Sequence, residues 1–447
     1  MQLSGKFNEL KSLPKGWLVV ELSQIGTISK GSGIRNEQIR KSGIPCITYG
    51  DIYTKYNIST KILNSFIDES ICNEAKKIEK NDILFAGSGE TAEEIGKTIV
   101  YLGDEKAYAG GDIIILTPKD DVDSYYISIF LNSEIGTYQK SRMGEGYSVV
   151  HIYPEEIKRI KLVLPPLPEQ KAISEILSTF DSAIEKTEQL IRMKEEYKKG
   201  MLQKVLKGDG KYKKIKNKNQ ICRLKGIIKE ISERNNDYKI NFVLSVTNTN
   251  GFRHQADQFD RIVASKDLWN YKIIKKGQFG YNPSRVNVGS IARLEDFETG
   301  ILSPMYVIFE TDRTKLLPEY MKYFIQTWAF QGQVKYLTQG SVRESLGFDS
   351  LEQIEIYLPP IKEQEKAVAL LVLIDNEIQL LNQKLSLLQT QKKGLMQQLL
   401  TGKMRVKVPP SRKYASALDK STADRSADNP LSQEQQIRRT RGEKNEK

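Results

Sequence analysis

Two segments of the chain show a long and regular alternation of apolar and polar positions. Between residues 371 and 399, apolar side chains recur at alternating spacings of three and four, which is the seam of a coiled coil. Residues 177–205 follow the same register with more polar interruptions. At about 1.5 Å per residue, a helix of roughly 40 residues would be about 60 Å long. The pattern therefore predicts two long helices of equal length.

Each predicted helix offers the other a partner for its apolar stripe. Neither helix can bury that stripe alone, so we expect the two to pair lengthwise. The heptads do not fix the direction, although two halves related by a pseudo-twofold axis favour an antiparallel pair. Thr187, Lys194, Lys198 and Lys392 interrupt the seams, where they either fix the register or extend toward solvent. The predicted pairing residues are Leu177, Phe180, Ile184 and Ile191 in the first helix and Leu371, Ile374, Ile378, Leu381, Leu385 and Leu388 in the second.

The two helices are part of an internal repeat. The stretch "LPPLPEQKAISEIL" from Leu164 is similar to "LPPIKEQEKAVALL" from Leu358, which begins 194 residues later. The same offset aligns the chain without a gap as far as Gly208 and Gly402. Prolines stand where each helix can begin, and a glycine ends each run. A match of this length indicates a duplicated unit.

Short apolar bursts separated by Gly, Asn, Asp and Pro predict strands in the two segments that precede the helices. Examples are "GDIIILTP" in the first segment and "PMYVIFET" in the second. The expected fold class is α+β, with two mixed α/β domains and two long helices that pair as an antiparallel coiled coil in a pseudo-twofold repeat. The predicted segments are a domain at 1–163, a helix at 164–208, a basic linker at 209–220, a second domain at 215–357, a second helix at 358–402 and a disordered charged tail at 403–447.

This order of domain, helix, domain, helix resembles the specificity subunit of type I restriction-modification enzymes. The similarity lies in the two "LPP..EQ" openings, the "KKG.(M/L)Q..L.G" endings and the phrases "LPKGWLVVELSQIGTISKGSG" and "KNDILFAGSGET", over about residues 10–402. The resemblance implies two target recognition domains, each reading one half of an asymmetric bipartite site in double-stranded DNA. It also implies that the helices act as a spacer and as a platform for two methyltransferase (modification) subunits, which bring the restriction and translocase subunits.

The resemblance further implies that the chain has no catalytic centre and no cofactor of its own. Adenine methylation with S-adenosylmethionine, and restriction with ATP and magnesium, would belong to the partner subunits. Two alternatives are a stand-alone DNA methyltransferase or nuclease, and a two-headed scaffold that does not bind DNA.

The sequence contains three short stretches that are similar to catalytic motifs but incomplete. "GSGETAEEIGKT" at 87–98 has Thr91 where a phosphate-binding Walker loop needs its first glycine. "YNPS" at 281–284 has Ser284 where an amino-methyltransferase tetrapeptide has a second proline. "EIK" at 156–158, which could end a nuclease site, is absent from the other copy of the repeat. These stretches therefore do not support the enzyme alternative.

The composition favours an intracellular protein that binds nucleic acid. Sixty-eight basic and fifty-six acidic residues give a net charge of +12, which suits a polyanionic partner. Three widely spaced cysteines, Cys46, Cys72 and Cys222, and two histidines, His151 and His254, predict neither a disulfide framework nor a metal site. No run of about eighteen apolar residues predicts a membrane span, and the first residues lack a secretion signal. We therefore expect a cytoplasmic protein without a membrane partner.

Base readout needs Arg, Asn or Gln at a groove edge, whereas phosphate contacts need Lys and Arg. Glycine-containing loops rich in such residues are 30–35, 88–91, 140–147, 248–254, 282–287 and 339–343. For each residue the alternative is an exposed loop without a DNA contact. The candidate DNA-binding residues are Lys30, Arg35, Ser88, Arg142, Arg253, Asn282, Arg285, Asn287 and Arg343.

Overall fold

The computed structural model describes residues 13–146, 148–206, 221–248, 251–255, 267–338 and 345–408. The chain forms two compact units, which are Met1–Ile184 with Leu387–Lys447, and Glu185–Ser386. Each unit holds one α/β domain and a part of each long helix. Among the described residues, no helix is both long enough and apolar enough to cross a membrane. The predicted basic linker at 209–220 lies outside the described residues.

The first unit begins with a domain of short strands and helices. Its strands are β1 (Leu18–Glu21), β2 (Gly26–Lys30), β3 (Ile44–Ile47), β4 (Ser59–Thr60), β5 (Ser65–Ile67), β6 (Lys76–Ile78), β7 (Ile83–Ala86), β8 (Ser88–Gly89), β9 (Thr98–Tyr101), β10 (Ala107–Ala109), β11 (Ile113–Pro118), β12 (Val150–His151) and β13 (Lys161–Leu164). Its helices are α1 (Leu22–Ile25), α2 (Tyr49–Thr54), α3 (Ser124–Leu131), α4 (Glu134–Ser141) and α5 (Pro154–Lys158).

A five-stranded sheet with the order β2-β11-β7-β9-β4 forms the centre of this domain. Successive residues of a strand point to opposite faces, and here both faces are covered. Ile83 and Phe85 of β7 join one apolar core, whereas Leu84 and Ala86 join another. A second sheet has the order β5-β3-β10-β6. Burial on both faces explains why the central strands read as continuous apolar runs rather than as an alternation.

The second unit contains the other domain. Its strands are β14 (Ile221–Arg223), β15 (Ile228–Ile231), β16 (Leu244–Thr247), β17 (Gly251–His254), β18 (Lys272–Lys275), β19 (Phe279–Tyr281), β20 (Ile291–Arg293), β21 (Thr299–Leu302), β22 (Val307–Thr311) and β23 (Glu355–Tyr357). Its short helices are α7 (Pro318–Phe324), α8 (Trp328–Thr338) and α9 (Phe348–Leu351). The sheet order β15-β22-β19-β20 repeats the order β2-β11-β7-β9 of the first unit.

The repeat extends further toward the N-terminus than the letters indicate. Gln139 on α4 exchanges two hydrogen bonds with the backbone of Lys161, at 2.8 and 3.0 Å. In the second unit, Gln333 on α8 exchanges the same two bonds with the backbone of Glu355, at 2.9 and 2.7 Å. Both residues of the second pair follow their counterparts by 194 positions. The duplicated part of each unit therefore includes helices of the domain as well as the long helix.

The long helices are α6 (Leu167–Leu206) and α10 (Ile361–Leu399), and a buried glutamine fastens the start of each to its domain. Gln170 Nε2 donates to the carbonyl oxygen of Pro165 at 2.7 Å, and Gln170 Oε1 accepts from the backbone N–H of Asp123 at 2.8 Å. Gln364 makes the equivalent two bonds at 2.8 and 2.9 Å. These bonds account for the repeated "LPP..EQ" signature, because its glutamine joins the helix start to the domain.

The two long helices run antiparallel within the second unit. Lys198 Nζ lies 2.6 Å from Asp375 Oδ1, and Lys194 Nζ lies 2.8 Å from Glu377 Oε2. Positions on α6 therefore rise as their partners on α10 fall, which confirms the antiparallel direction. Both lysines form ion pairs between the helices rather than extending to solvent alone.

The long helices also run antiparallel in the first unit, where the chain beyond the end of α10 makes a further contact with α6. Lys392 of α10 pairs with Asp181 of α6. Arg405 donates two hydrogen bonds to Glu169, near the start of α6, at 2.7 and 2.8 Å. Trp17 Nε1 donates to the same carboxylate at 2.9 Å, and the Arg405 guanidinium lies 5.7 Å from the centroid of the Trp17 ring. Packed chain thus continues past the predicted start of the tail at 403, and residues 409–447 lie outside the described part.

The predicted pairing residues differ in how deeply they are buried. The buried ones are Leu177, Ile184, Ile191, Leu371 and Ile374. The half-buried ones are Phe180, Ile378, Leu381, Leu385 and Leu388. A pair of helices encloses its seam on two sides only, so partial exposure at the flanks is expected.

Candidate DNA-binding surfaces

Two candidate loops of the first unit leave one edge of its central sheet. β2 ends at Lys30 and β7 ends at Ala86, and these residues pair with the first two residues of β11. The loops that follow contain the predicted segments 30–35 and 88–91. The fold therefore brings together two polar, glycine-containing segments that are far apart in the chain.

The chain just after the third predicted segment, 140–147, lies against the same loop because β12 pairs with β8. Val150 pairs with Gly89, and His151 pairs with Ser88, in antiparallel register. The Ser88 Oγ atom lies 2.9 Å from His151 Nδ1. Ser88 is 3% exposed, and its hydroxyl group is engaged with this histidine. The contact of Ser88 with His151 closes the base of the loop. The predicted contact of Ser88 with DNA stays a prediction.

A buried lysine fastens the other end of the 87–97 loop. Lys140 on α4 is almost fully buried, and its ammonium group donates to the carbonyl oxygen of Gly96 at 2.6 Å. Gly96 has φ +68°, a left-handed conformation that glycine adopts without strain. Burial removes hydration from the charged form and lowers the pKa of Lys140 to about 7. Val334 is buried at the position 194 residues later, so the shared fold does not require a charge there.

Stability should depend on pH through Lys140. Between its folded pKa of about 7 and its ordinary value of 10.5, the unfolded chain binds a proton that the folded chain releases. The stability of the wild type should therefore rise with pH across this window, by on the order of 1 kcal/mol per pH unit, and Lys140→Met should lack that rise. Urea unfolding of both proteins at about pH 7 and about pH 9 measures the difference. Lys171→Met, at an exposed position of α6, should keep the wild-type slope; equal slopes in all three proteins would contradict the assignment.

The remaining candidates of the first unit are exposed. Arg35 keeps 80% of its side chain exposed and lies 4.0 Å from the exposed Glu37, a pair too open and too long to hold the guanidinium firmly. Lys30 is exposed at the end of β2, and Arg142 is exposed at the C-terminus of α4. These side chains are available for phosphate or base contacts.

The equivalent edge of the second unit carries the loop 282–290. β19 ends at Tyr281, whose neighbours in the sheet are the first residues of β20 and β22. In the first unit β7 has this position, between the counterparts of β20 and β22. The 87–97 and 282–290 loops therefore leave the same place in the same strand order.

Asn282 shapes its loop through its own side chain. Asn282 Oδ1 accepts from the backbone N–H of Ser284 at 3.0 Å, and its carbonyl oxygen accepts from the N–H of Arg285 at 3.0 Å. Gly289 closes the loop with φ +97°, again in the left-handed region. Arg285 and Asn287 point away from the core and are exposed. Asn282 thus supports the loop, while Arg285 and Asn287 are accessible on its surface.

A hairpin of β16 and β17 packs beside this loop. Ser290 Oγ donates to the carbonyl oxygen of Val246 at 2.8 Å. A cleft of about 450 Å³ has the hairpin on one side and the loop on the other, with Asn248 and Gly289 among its lining residues. Arg253 is exposed on β17. The described residues of the predicted segment 248–254 and the segment 282–287 therefore form one surface.

The described chain that follows the sixth predicted segment, 339–343, contacts the same loop. The backbone N–H of Leu346 donates to the carbonyl oxygen of Pro283 at 3.0 Å. Arg343 itself lies outside the described residues. Its predicted DNA contact stays a prediction.

The side chains of two incomplete motifs are used by the fold. Lys97 of "GSGETAEEIGKT" donates to the carbonyl oxygen of Tyr56 at 2.7 Å. Tyr281 of "YNPS" lies in the core of the second unit. In the described ranges, no cluster of His, Cys, Asp or Glu side chains is placed to hold a metal ion.

A family model and several known proteins are similar to this chain. Residues 14–195 match the family model for the type I restriction modification DNA specificity domain. The MjaVIII specificity subunit of Methanocaldococcus jannaschii is 26% identical over 433 residues, which cover 90% of this chain and 96% of that protein. A protein of the same organism assigned as the MjaX specificity subunit is 28% identical over 422 residues, covering 90% and 97%. The EcoKI specificity subunit of Escherichia coli is 22% identical over 379 residues, covering 80% and 81%.

The fold is also similar to that of a solved structure. The type I restriction-modification S subunit from M. genitalium superposes with a TM-score of 0.57 at 16% identity, covering 87% of this chain and 97% of that one. The matched domain, the relatives that extend over most of the chain and the shared fold agree with one another. Over most of its length, the chain is therefore similar to type I restriction-modification specificity subunits.

Proposed function

We propose that this chain reads an asymmetric bipartite site in double-stranded DNA, with one half-site for each recognition domain. The observation that carries the proposal is the pair of equivalent loops, 87–97 and 282–290, which leave the same place in the same strand order but have unlike sequences. Equivalent placement favours one mode of approach to DNA. Unlike side chains favour two different half-sites, because base edges are read by the pattern of donors and acceptors.

The exposed candidates divide by the chemistry they offer. Arg285 and Asn287 can make the paired donor and acceptor contacts that identify a base. Lys30, Arg35 and Arg142 can neutralise phosphates, and the net charge of +12 supports binding to a polyanion. Among these residues, the candidates for phosphate contacts lie in the first domain and the pair suited to base readout lies in the second.

The long helices would hold the modification subunits. Leu373, Leu380 and Leu387 of α10 are 66%, 65% and 63% exposed, and their seven-residue spacing places them on one face of the helix. An exposed apolar stripe of this kind on a chain with a complete core favours a protein partner. We assign that partner as a modification subunit, two of which would bind and bring the restriction and translocase subunits.

Acidic substitutions in this stripe should weaken assembly. Leu373→Glu combined with Leu380→Glu should lower the affinity for the modification subunit at least about tenfold, because each places a charge at the centre of an apolar contact. The fold should persist since both side chains are largely exposed. Gln379→Glu with Gln383→Glu adds the same charge at exposed polar positions of α10 and should bind as the wild type does. Equal affinity in both double variants, measured by calorimetric titration, would remove the stripe from the interface.

The chemistry would belong to the partners rather than to this chain. The modification subunits would supply adenine methylation with S-adenosylmethionine, and the restriction subunits would use ATP and magnesium. Methylation or cleavage of DNA by the purified chain alone would contradict this part of the proposal.

Selection from a library of random duplexes tests the DNA-reading proposal directly. The chain and its modification subunit should enrich two unlike half-sites at a fixed separation, and binding should weaken steeply as salt is raised. Enrichment of no sequence at any salt concentration would instead support a scaffold without sequence recognition.

A further inference from the structure

A tyrosine, an aspartate and a lysine from three elements meet in the first unit. The hydroxyl group of Tyr125 on α3 donates to Asp181 Oδ2 at 2.8 Å, and Lys392 Nζ of α10 pairs with Asp181 Oδ1. Asp181 lies on α6, and the side chains of Asp181 and Lys392 are only 21% and 14% exposed. These three residues, called the first triad, connect the domain to both long helices through one carboxylate.

A second triad repeats this arrangement in the second unit. The hydroxyl group of Tyr323 on α7 donates to Asp375 Oδ2 at 2.7 Å, and Lys198 Nζ of α6 lies 2.6 Å from Asp375 Oδ1. Asp375 and Lys392 follow Asp181 and Lys198 by 194 residues. Exchanging the roles of the two helices therefore converts one triad into the other.

The two tyrosines do not occupy equivalent positions in the repeat. Tyr323 corresponds to Ile129, four residues after Tyr125. Residues four apart lie on the same face of a helix, one turn from each other. Burial and the neighbouring carboxylate raise the pKa of Tyr125 and of Tyr323, so both phenols remain hydrogen-bond donors. The two domains thus make the same contact from different positions, although their sequences differ there.

The repeating seam alone cannot fix how far one helix extends along the other. Apolar residues every heptad allow a slip of seven residues to rebuild much of the same packing. The triads remove that freedom. A slip of seven residues in either direction would bring Leu385 or Leu399 opposite Asp181 in place of Lys392.

The same slip would break the second triad as well. Asp375 would then face Ile191 or Val205 instead of Lys198. A partly buried carboxylate that loses its cation and faces an aliphatic side chain is strongly disfavoured, so the observed register is selected over both of its nearest competitors.

We propose that the two triads determine the register of α6 against α10 and thereby the number of base pairs between the two half-sites. This inference rests on the proposed function, since it assumes one recognition domain per half-site. One heptad is about 10 Å of helix, and base pairs lie about 3.4 Å apart, so a slipped register changes the separation by about three base pairs.

A variant with apolar triads tests the inference. Asp181, Lys392, Asp375 and Lys198 are all replaced by leucine, and the full chain is assembled with its modification subunits. Methylation is then measured on duplexes that carry both natural half-sites with gaps up to about three base pairs shorter or longer. The wild type should methylate one gap length, whereas the variant should methylate gaps changed by about three base pairs at no less than about a tenth of the natural rate.

Controls separate this role from a purely structural one. Exchanging the charges within each pair, by Asp181→Lys with Lys392→Asp and Asp375→Lys with Lys198→Asp, keeps the ion pairs and should keep a single gap length. If the fourfold variant does not assemble, Asp375→Leu with Lys198→Leu alone is measured in the same way and should show the same broadening at lower rates. A single unchanged gap in the leucine variant that assembles overturns the inference. A wild type that needs no second half-site would instead overturn the proposed function.

Discussion

Replacing residues 215–357 with the recognition domain of another specificity subunit should change one half of the methylated sequence and leave the other half intact. The second domain forms its own sheet, β15-β22-β19-β20, and carries its own candidate surface on the 282–290 loop and the β16–β17 hairpin. The 87–97 loop is anchored by Lys140 and His151, both in the first unit. Mapping methylated adenines in strains that carry either chain measures the outcome.

The structure also indicates how to build this chimaera. The donor domain must supply hydrogen-bond donors to Gln364 and Asp375. In the natural chain these residues accept from the backbone N–H of Leu317 and from the hydroxyl group of Tyr323. A narrower exchange of 228–311 keeps both contacts and still replaces the loop and the hairpin. If either chimaera altered both halves of the methylated sequence, the domains would not read DNA independently.

Removing the side chains of Arg285 and Asn287 from the 282–290 loop should relax discrimination at the second half-site. A bidentate contact to a base edge contributes about 1–3 kcal/mol of discrimination, which corresponds to roughly a 5- to 150-fold change in preference at that position. Arg285→Ala with Asn287→Ala should therefore relax the sequence requirement of one half-site. The first half-site should keep its sequence, and the fold should persist because both side chains are exposed.

Arg313 provides the matched control for this variant. It is exposed just beyond the end of β22, whereas the 282–290 loop lies beside the start of that strand. Arg313→Ala removes one charge of the same kind and should retain the full preference at both half-sites. A loss of preference in Arg313→Ala equal to that in the loop variant would indicate a general charge effect rather than base readout.

The long helices could be predicted from the sequence because a heptad repeat is a local pattern. The seam at Leu371 and Ile374 and the 194-residue offset follow from letters alone, and so does the presence of lysines on the seam. The antiparallel direction needed the structure to confirm it. Ion pairs such as Lys194 with Glu377 and Lys198 with Asp375 show which way the helices run.

The arrangement of the candidate surfaces could not be derived from the sequence. The loops after Lys30 and Ala86 meet because β2 and β7 both pair with β11, and pairing of distant strands leaves no local signal. Lys140 was a member of a basic segment by composition, yet it is buried and supports Gly96. The repeat contains a signal for the burial of Lys140, because an alignment at the 194-residue offset places it opposite the apolar Val334.

The central claim is that one chain holds two unlike readers of DNA at a set separation. The most direct test maps methylated adenines across a genome in which this chain is expressed with its modification subunit. The account predicts one asymmetric sequence made of two unlike halves and a gap of constant length. A single uninterrupted sequence, or half-sites methylated at any separation, would contradict it.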